Sequence, residues 1–88
     1  MVSVKRTYFN RTERYSLGVE EETGTPCLYI PVTIGVADYN EYYSLSKTEY
    51  RDFLANPERA ARFADESRSR RHDDRLMQQP GWNRGTPI

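Results

Sequence analysis

The first half of the chain alternates between hydrophobic and polar residues, which is the pattern of β-strands that bury one face. One predicted strand carries Tyr15, Leu17 and Val19 on the same side. The longest alternation covers residues 28–36, where Leu28 begins a series of aliphatic residues at every second position. A period of two over nine residues is incompatible with a helix, so this segment is the clearest strand of the chain.

Two further segments complete the predicted sheet. Residues 39–45 are rich in tyrosine, which favours strands, and residues 4–9 form a short first strand. Turn-forming residues at 22–26 and 35–38 separate the strands, so the order predicts an antiparallel meander of three or four strands. Pro31 lacks an amide N–H, which predicts that its strand lies at a sheet edge or contains a bulge.

The second half of the chain changes to the residue spacing of helices. Ser46 and Glu49 form a capping box that begins a helix over residues 47–54. Asn56 is predicted to cap the next helix, whose first residue is Pro57. The first helix is predicted to bury Tyr50, Phe53 and Leu54.

The second helix is predicted to reach at least Ser67. Its buried stripe consists of Ala60, Phe63, Ala64 and Ser67. Continuing the same stripe would place Arg71 and Asp74 on the core side. The helix therefore ends or kinks between residues 69 and 73, or its far end presents a polar face, and the sequence leaves both possibilities open.

Together these elements predict an α+β fold, with an antiparallel three- to four-stranded meander followed by two helices packed on one face of the sheet. Residues 1–79 are predicted to form a single domain. Residues 80–88 are predicted to be a partly flexible C-terminal tail, because they are rich in turn-forming residues, unless Trp82 docks on the domain.

Composition narrows the range of functions. The 88 residues include 13 basic and 13 acidic side chains, giving a formal net charge of zero. Cys27 is the single cysteine and His72 the single histidine, which excludes a disulfide framework within the chain and the common zinc sites. The sequence contains no apolar run of the roughly 20 residues that a membrane helix needs, and no secretory signal, so we expect a soluble cytoplasmic protein without membrane association.

The sequence offers little support for catalysis, and we expect neither an enzyme nor a bound cofactor or metal. Cys27 and His72 could act as nucleophile and base, but no glycine-rich motif flanks Cys27, which favours a buried strand residue. Residues 20–22 could hold a cation together with Asp38 or Glu41, yet they lack calcium-loop spacing. Residues 72–74 resemble a metal-binding fragment, although the further histidines that such sites use are missing.

The tyrosines carry the main functional hypothesis. All seven lie within the first 50 residues, and adjacent Tyr42 and Tyr43 must face opposite sides of a strand, so one of them lies on the face without helices. Asp38 and Glu41 lie among them, which favours a protein partner over single-stranded nucleic acid. The sequence therefore predicts a non-catalytic protein-binding module such as an inhibitor or adaptor, whose partner could be a second copy of itself. The candidate partner-binding residues are Tyr29, Tyr39, Glu41, Tyr42 and Tyr43.

A nucleic-acid-associated regulator is the alternative hypothesis. Residues 47–88 carry a net charge of +2, whereas residues 1–46 carry −2. The candidate basic patch on the second helix consists of Arg59, Arg62, Arg68, Arg70 and Arg71. Acidic residues flank this run on both sides, which is more typical of a solvated, ion-paired helix face.

Overall fold

The computed structural model describes residues 3–81 and 84–88. Four strands form an antiparallel sheet in chain order, each paired with the next, and two helices follow. The strands are β1 (Val4–Asn10), β2 (Tyr15–Glu20), β3 (Pro26–Thr33) and β4 (Asp38–Ser44), and the helices are α1 (Lys47–Ala55) and α2 (Pro57–Arg68). The α+β meander predicted from the sequence is therefore confirmed.

The core lies between the helices and one face of the sheet. Leu28, Ile30 and Val32 of β3 are fully buried there and belong to the same cluster as Phe53 of α1 and Phe63 of α2. Burying apolar area at this interface is the main stabilising term for so small a domain. The buried stripe predicted for α2 is also confirmed, because Ala60, Phe63, Ala64 and Ser67 are all buried.

The long alternating strand ends earlier than predicted. β3 stops at Thr33, and the Ile34 amide donates to the carbonyl oxygen of Ala37 at 3.0 Å to close the turn into β4. Ile34 and Val36 are therefore exposed, at 40% and 98%, and the predicted extension of the strand to Val36 is wrong. Periodicity alone could not mark this end, because aliphatic residues continue through the turn.

Pro31 lies in an interior strand, so the predicted edge position is wrong. β3 pairs with both β2 and β4, but its last partner in β2 is Ser16, opposite Tyr29. The missing N–H of Pro31 falls beyond that point, where no β2 carbonyl needs a donor. The Pro31 carbonyl accepts instead from the Ile88 amide at 3.2 Å.

The C-terminal residues continue the sheet where β2 ends. A short strand, β5 (Thr86–Pro87), pairs antiparallel with Val32 and Thr33 of β3. Residues 84–88 thus contact the sheet, while the domain boundary at residue 79 stays a prediction. The sequence leaves open whether Trp82 docks on the domain, and Trp82 falls outside the described residues.

The structure tests the caps that the sequence predicts at the beginning of each helix. Ser46 Oγ accepts from the Glu49 amide at 3.1 Å and the Glu49 carboxylate accepts from the Ser46 amide at 2.8 Å, which confirms the capping box. Pro57 is the first residue of α2, as predicted. The Asn56 side chain does not cap α2, because it donates to the Asp52 carboxylate at 2.8 Å instead.

Leu54 is the one predicted core residue of α1 that is exposed, at 44%, because this short helix turns only a narrow face toward the sheet.

The segment after α2 turns back onto the core. The helix ends at Arg68, and Arg70 adopts a φ of 63°, a left-handed conformation that stops further helical hydrogen bonding. The His72 ring then stacks on Phe63 with 4.1 Å between ring centroids. Of the two possibilities left open by the sequence, the helix therefore ends. Beyond a 3-10 turn at Asp73–Arg75, the Met77 amide donates to the Tyr42 carbonyl at 2.9 Å and covers part of the outer edge of β4.

Replacing Gly18 by alanine is expected to lower the free energy of unfolding by about 1–3 kcal/mol. A Cβ at this position would lie 2.6 Å from Val4 Cγ1 and 2.7 Å from the Lys5 carbonyl oxygen, so β1 would have to move. Urea denaturation measures the change. Gly81→Ala is the matched control, because its added Cβ meets no atom of the described residues within 4 Å. Equal stability of the two variants would contradict the close contact between β1 and β2.

Candidate functional site

The face of the sheet opposite the helices, here called the open face, carries a row of aromatic side chains. Phe9 pairs in register with Ser16, Ser16 with Tyr29, and Tyr29 with Tyr42, so the row crosses all four strands. The rings of Tyr29 and Tyr42 contact each other with centroids 4.8 Å apart. Phe9 is 51% exposed. Ser16 lies between Phe9 and the tyrosine pair and is itself buried, at 5% exposure.

Three arginines surround this row. Arg6, Arg11 and Arg14 line a depression of about 480 Å³ that also includes the aromatic side chains. The Arg6 guanidinium lies 4.9 Å from the centroid of the Phe9 ring, a cation–π contact. Within residues 3–81 and 84–88, none of the three arginines forms a salt bridge. Their positive charge is therefore available to a ligand.

A bulge in β1 brings Arg6 and Phe9 onto the same face. Arg6 pairs with Gly18 and Phe9 with Ser16, and the register shifts at Thr7 between them. Residues three apart in a regular strand would face opposite sides. The extra residue changes this phase, and bulges re-aim side chains in this way in many sheets.

The β1–β2 hairpin holds Arg11 and Arg14 beside the row. Asn10 Oδ1 accepts from the Glu13 amide at 2.9 Å, and Arg14 adopts a φ of 56°. Arg68 of α2 donates to the carbonyl oxygens of Glu13 and Arg14, the latter at 2.7 Å. A residue of the second helix thus fixes the turn that carries two of the open-face arginines.

The Tyr29 phenol of the open face is neutral at physiological pH. Burial raises the pKa of Tyr29, whose ring is half-buried against Tyr42. The charge of the depression therefore comes from its arginines. The nearest carboxylate on the same face of β4 is Asp38, at the far end of the strand and exposed.

The predicted partner-binding residues divide between the two faces of the sheet. Tyr29 and Tyr42 lie on the open face, whereas Tyr39, Glu41 and Tyr43 lie on the helix-covered face opposite the buried residues of β3. Adjacent Tyr42 and Tyr43 thus face opposite sides, as predicted. Tyr43 is fully buried and its hydroxyl donates to Glu41 at 2.9 Å.

Glu41 belongs to a buried ion network rather than to the exposed surface. Arg84 donates to both oxygens of Glu41, at 2.8 and 3.0 Å, and to both oxygens of Asp73, at 2.7 and 2.9 Å. The hydrogen bonds from Arg84 hold the pKa of Asp73 below its ordinary value. The Gly85 amide then donates to the Tyr39 hydroxyl at 2.7 Å. This network ties the C-terminal residues to β4.

Ion pairs involve part of the predicted basic patch. Arg59 pairs with Asp52 at 3.1 Å, and Arg68 pairs with Asp65 at 2.7 Å while holding the β1–β2 hairpin. Arg62 is exposed on α2, and Arg70 and Arg71 are exposed in the turn beyond it. Ion pairing therefore uses two of the five arginines that the alternative hypothesis needs.

Cys27 and His72 each make contacts that are typical of structural residues. Cys27 is fully buried in β3, and burial raises the pKa of its thiol to about 12, which is unfavourable for a nucleophile. His72 pairs with Glu66 at 2.9 Å while stacking on Phe63. In the described part of the chain, no hydrogen bond joins Cys27 to His72.

The candidate cation-binding residues 20–22 form hydrogen bonds within their own turn. The Glu20 carboxylate accepts from the Thr23 amide and hydroxyl, both at 2.8 Å, and these bonds lower the pKa of Glu20. Over residues 3–81 and 84–88, no group of three or more His, Cys, Asp or Glu side chains is arranged to bind a metal ion.

No family model, curated protein or solved structure matches this chain. Its function is therefore inferred from its own geometry. Of the helices in the described residues, none combines the length and the apolar character needed to cross a membrane.

Sequence reasoning missed the residues that complete the open face. Phe9, Arg6, Arg11 and Arg14 join Tyr29 and Tyr42 there, but none of the four was a candidate. The sequence did contain a signal for the hairpin arginines. Residues 10–15 connect two predicted strands, so the arginines of this segment must lie close to β1 and β2. The bulge at Thr7, which aligns Arg6 with Phe9, has no comparable sequence signal.

Proposed function

We propose that this protein is a non-catalytic binding module and that it binds its partner through the open face. The observation that carries the proposal is the aromatic row of Phe9, Tyr29 and Tyr42, surrounded by arginines without salt bridges in the described residues. Aromatic and arginine side chains are enriched where proteins bind partners, because they bury large areas and make directional contacts.

The charge around Tyr29 and Tyr42 favours an anionic partner. The sequence hypothesis of a protein partner relied on Asp38 and Glu41 lying among the tyrosines. Glu41 is buried and bound by Arg84 on the opposite face, while Asp38 lies at the end of β4. The arginines beside Tyr29 and Tyr42 are suited to carboxylates and to phosphates, which accept bidentate hydrogen bonds from guanidinium groups.

Two finer expectations belong to the same proposal. A cytoplasmic location is supported by the single cysteine, which is buried and free. A second copy of the chain is also proposed as a partner, through a surface next to the open face: among the described residues β1 pairs with β2 alone, so its outer edge can pair with a strand of that copy. Sedimentation of the purified protein measures whether it forms a dimer.

Affinity purification from native extract tests the proposal. Mass spectrometry and nucleic-acid sequencing of the same eluate identify whatever the full chain retains. Tyr42→Ala is expected to reduce the retained partner by at least about 10-fold, because an aromatic side chain buried by a partner contributes strongly to an interface. Tyr43 is unsuitable for this test because it is part of the core.

Leu54→Ala is the matched control, since it shortens an exposed apolar side chain on α1, away from the open face. It should retain the partner as the wild-type chain does. Equal retention by Tyr42→Ala, or equal loss in Leu54→Ala, would contradict binding through the open face.

A further inference from the structure

We propose that the ligand of the open face is single-stranded nucleic acid, with bases stacked on the aromatic row and phosphates bound by Arg6, Arg11 and Arg14. This inference rests on the proposed function, because it assigns a ligand to the same surface. RNA and DNA share the chemistry that the surface recognises, which is a flexible polyanion with exposed flat bases.

The aromatic row has the arrangement that base stacking requires. Phe9, Tyr29 and Tyr42 stand on three different strands of one sheet, so their rings are spaced across the sheet rather than clustered at one point. Neighbouring strands lie about 4.8 Å apart, and Ser16 separates Phe9 from Tyr29 by one strand. Aromatic side chains on open sheets bind unpaired bases by stacking on them.

The three arginines of the open face would bind the phosphates. They lie on both sides of the row, with Arg6 beside Phe9 on β1 and with Arg11 and Arg14 on the hairpin. A nucleic-acid backbone bound at the Phe9 end of the row would therefore meet positive charge, because all three arginines belong to β1 and the β1–β2 hairpin. The zero net charge of the chain does not oppose this contact, because none of the described residues that line the depression is acidic. Glu41 is bound by Arg84 on the opposite face, and the Glu20 carboxylate accepts hydrogen bonds from Thr23.

An acidic protein fits this surface less well. The centre of a protein–protein interface is depleted of charged groups and rich in apolar area. Here the aliphatic side chains that line the depression are limited to Val4 and Pro31, and the remaining lining is aromatic, cationic or small and polar. Such a composition matches the sites of single-stranded nucleic acids, where stacking and phosphate contacts dominate.

Fluorescence anisotropy of the full chain with labelled ten-nucleotide RNA and DNA of mixed sequence tests this assignment. Three phosphate contacts predict a slope of about −2 in log affinity against log salt, or about a 20-fold loss of affinity between 50 and 200 mM salt. Phe9→Ala is expected to weaken binding by about 5- to 150-fold, the range for loss of one stacked base. A duplex of the same sequence is expected to bind more weakly, because its bases are already stacked on each other.

Two triple variants identify the contacting arginines. The open-face variant combines Arg6→Gln, Arg11→Gln and Arg14→Asn, where asparagine tolerates the positive φ of residue 14. It is expected to bring the salt slope close to zero. The matched control combines Arg62→Gln, Arg71→Gln and Arg70→Asn, which makes the same charge change and places asparagine at the other arginine with a positive φ.

The control variant should bind as the wild-type chain does. Equal loss in both variants, stronger binding of the duplex, or no binding of either oligonucleotide would overturn the assignment. Phe9→Ala decides the matter if the triple variant fails to fold, because Phe9 is half exposed.

Polyglutamate provides the competing ligand. If it binds the wild-type chain more tightly than the oligonucleotides do, and the open-face triple variant loses that binding, the nucleic-acid assignment fails while the proposed binding face is retained. If Tyr42→Ala retains every partner from the extract, the proposed function itself fails. The two failures are therefore distinguishable.

Discussion

Replacing Arg84 by methionine is expected to lower the free energy of unfolding by about 3–5 kcal/mol at neutral pH. The Arg84 side chain is 13% exposed and the Glu41 side chain is 5% exposed, so the substitution leaves a carboxylate buried without its cationic partner. The hydroxyl of Tyr43 would be its remaining hydrogen-bond donor among the described residues. Urea denaturation of the full chain measures the loss. For a domain of this size it is a large fraction of the total stability.

The two carboxylates bound by Arg84 contribute unequally to this expected loss of stability. The Asp73 side chain is 41% exposed, so water compensates for much of its lost pairing, and most of the expected effect arises from Glu41. A double variant that adds Glu41→Gln to Arg84→Met is the control, because glutamine keeps the shape of the side chain and removes the buried charge. It should recover most of the lost stability. A single variant that loses less than about 1 kcal/mol would show that the pair behaves like a surface ion pair.

The ion network of Arg84 also predicts how the stability of the fold depends on pH. The fold lowers the pKa of Asp73 below its ordinary value of 3.8, so this group stabilises the native state above that pH. Its contribution is lost as the pH falls through the lower, folded value. Arg84→Met removes the cause of the shift, so the variant should show less of this acid-dependent loss in urea titrations below about pH 4.

Local patterns predicted the elements of the fold better than their ends. The capping box at Ser46, the proline at position 57 and the period-two segment of β3 each specify local geometry, and all three appear as expected. The end of β3 at Thr33 is set by a local turn, whose signal at residues 35–38 overlaps the alternation and was outweighed by it. The pairing of Thr86 with β3, in contrast, depends on contacts between distant parts of the chain. No local pattern encodes such contacts, because they are determined by which surfaces the folded sheet leaves accessible.

The candidate site was harder to predict because it depends on register. Tyr42 and Tyr43 could be assigned to opposite faces from alternation alone, but alternation does not say which face the helices cover. Glu41 shares the buried face with Tyr43, and its partner Arg84 comes from a segment predicted to be a tail. The predicted charge around the tyrosines was therefore wrong. Glu41 lies on the opposite face of the sheet, and arginines of the β1–β2 hairpin lie beside Tyr29 and Tyr42.

Phe63→Ala is expected to lower the free energy of unfolding by about 3–5 kcal/mol, a loss comparable with that for Arg84. Phe63 is 6% exposed and lies where the helices, the sheet and the segment after α2 meet. Its ring contacts Phe53 with centroids 5.4 Å apart, stacks on His72 at 4.1 Å, and lies 5.3 Å from the guanidinium carbon of Arg75. Truncation would leave a cavity among these groups, and urea denaturation measures its effect.

Two further variants separate the core contribution of Phe63 from its role in holding the segment after α2. Leu54→Ala shortens an exposed side chain on α1 and should change stability by about 0.5 kcal/mol or less. His72→Ala removes the stacked ring without opening the core between the helices and the sheet, so it should mainly speed hydrogen exchange at the Met77 amide, which bonds to Tyr42. If Phe63→Ala and Leu54→Ala had equal effects, Phe63 would not be the residue that joins the sheet, the helices and the returning segment.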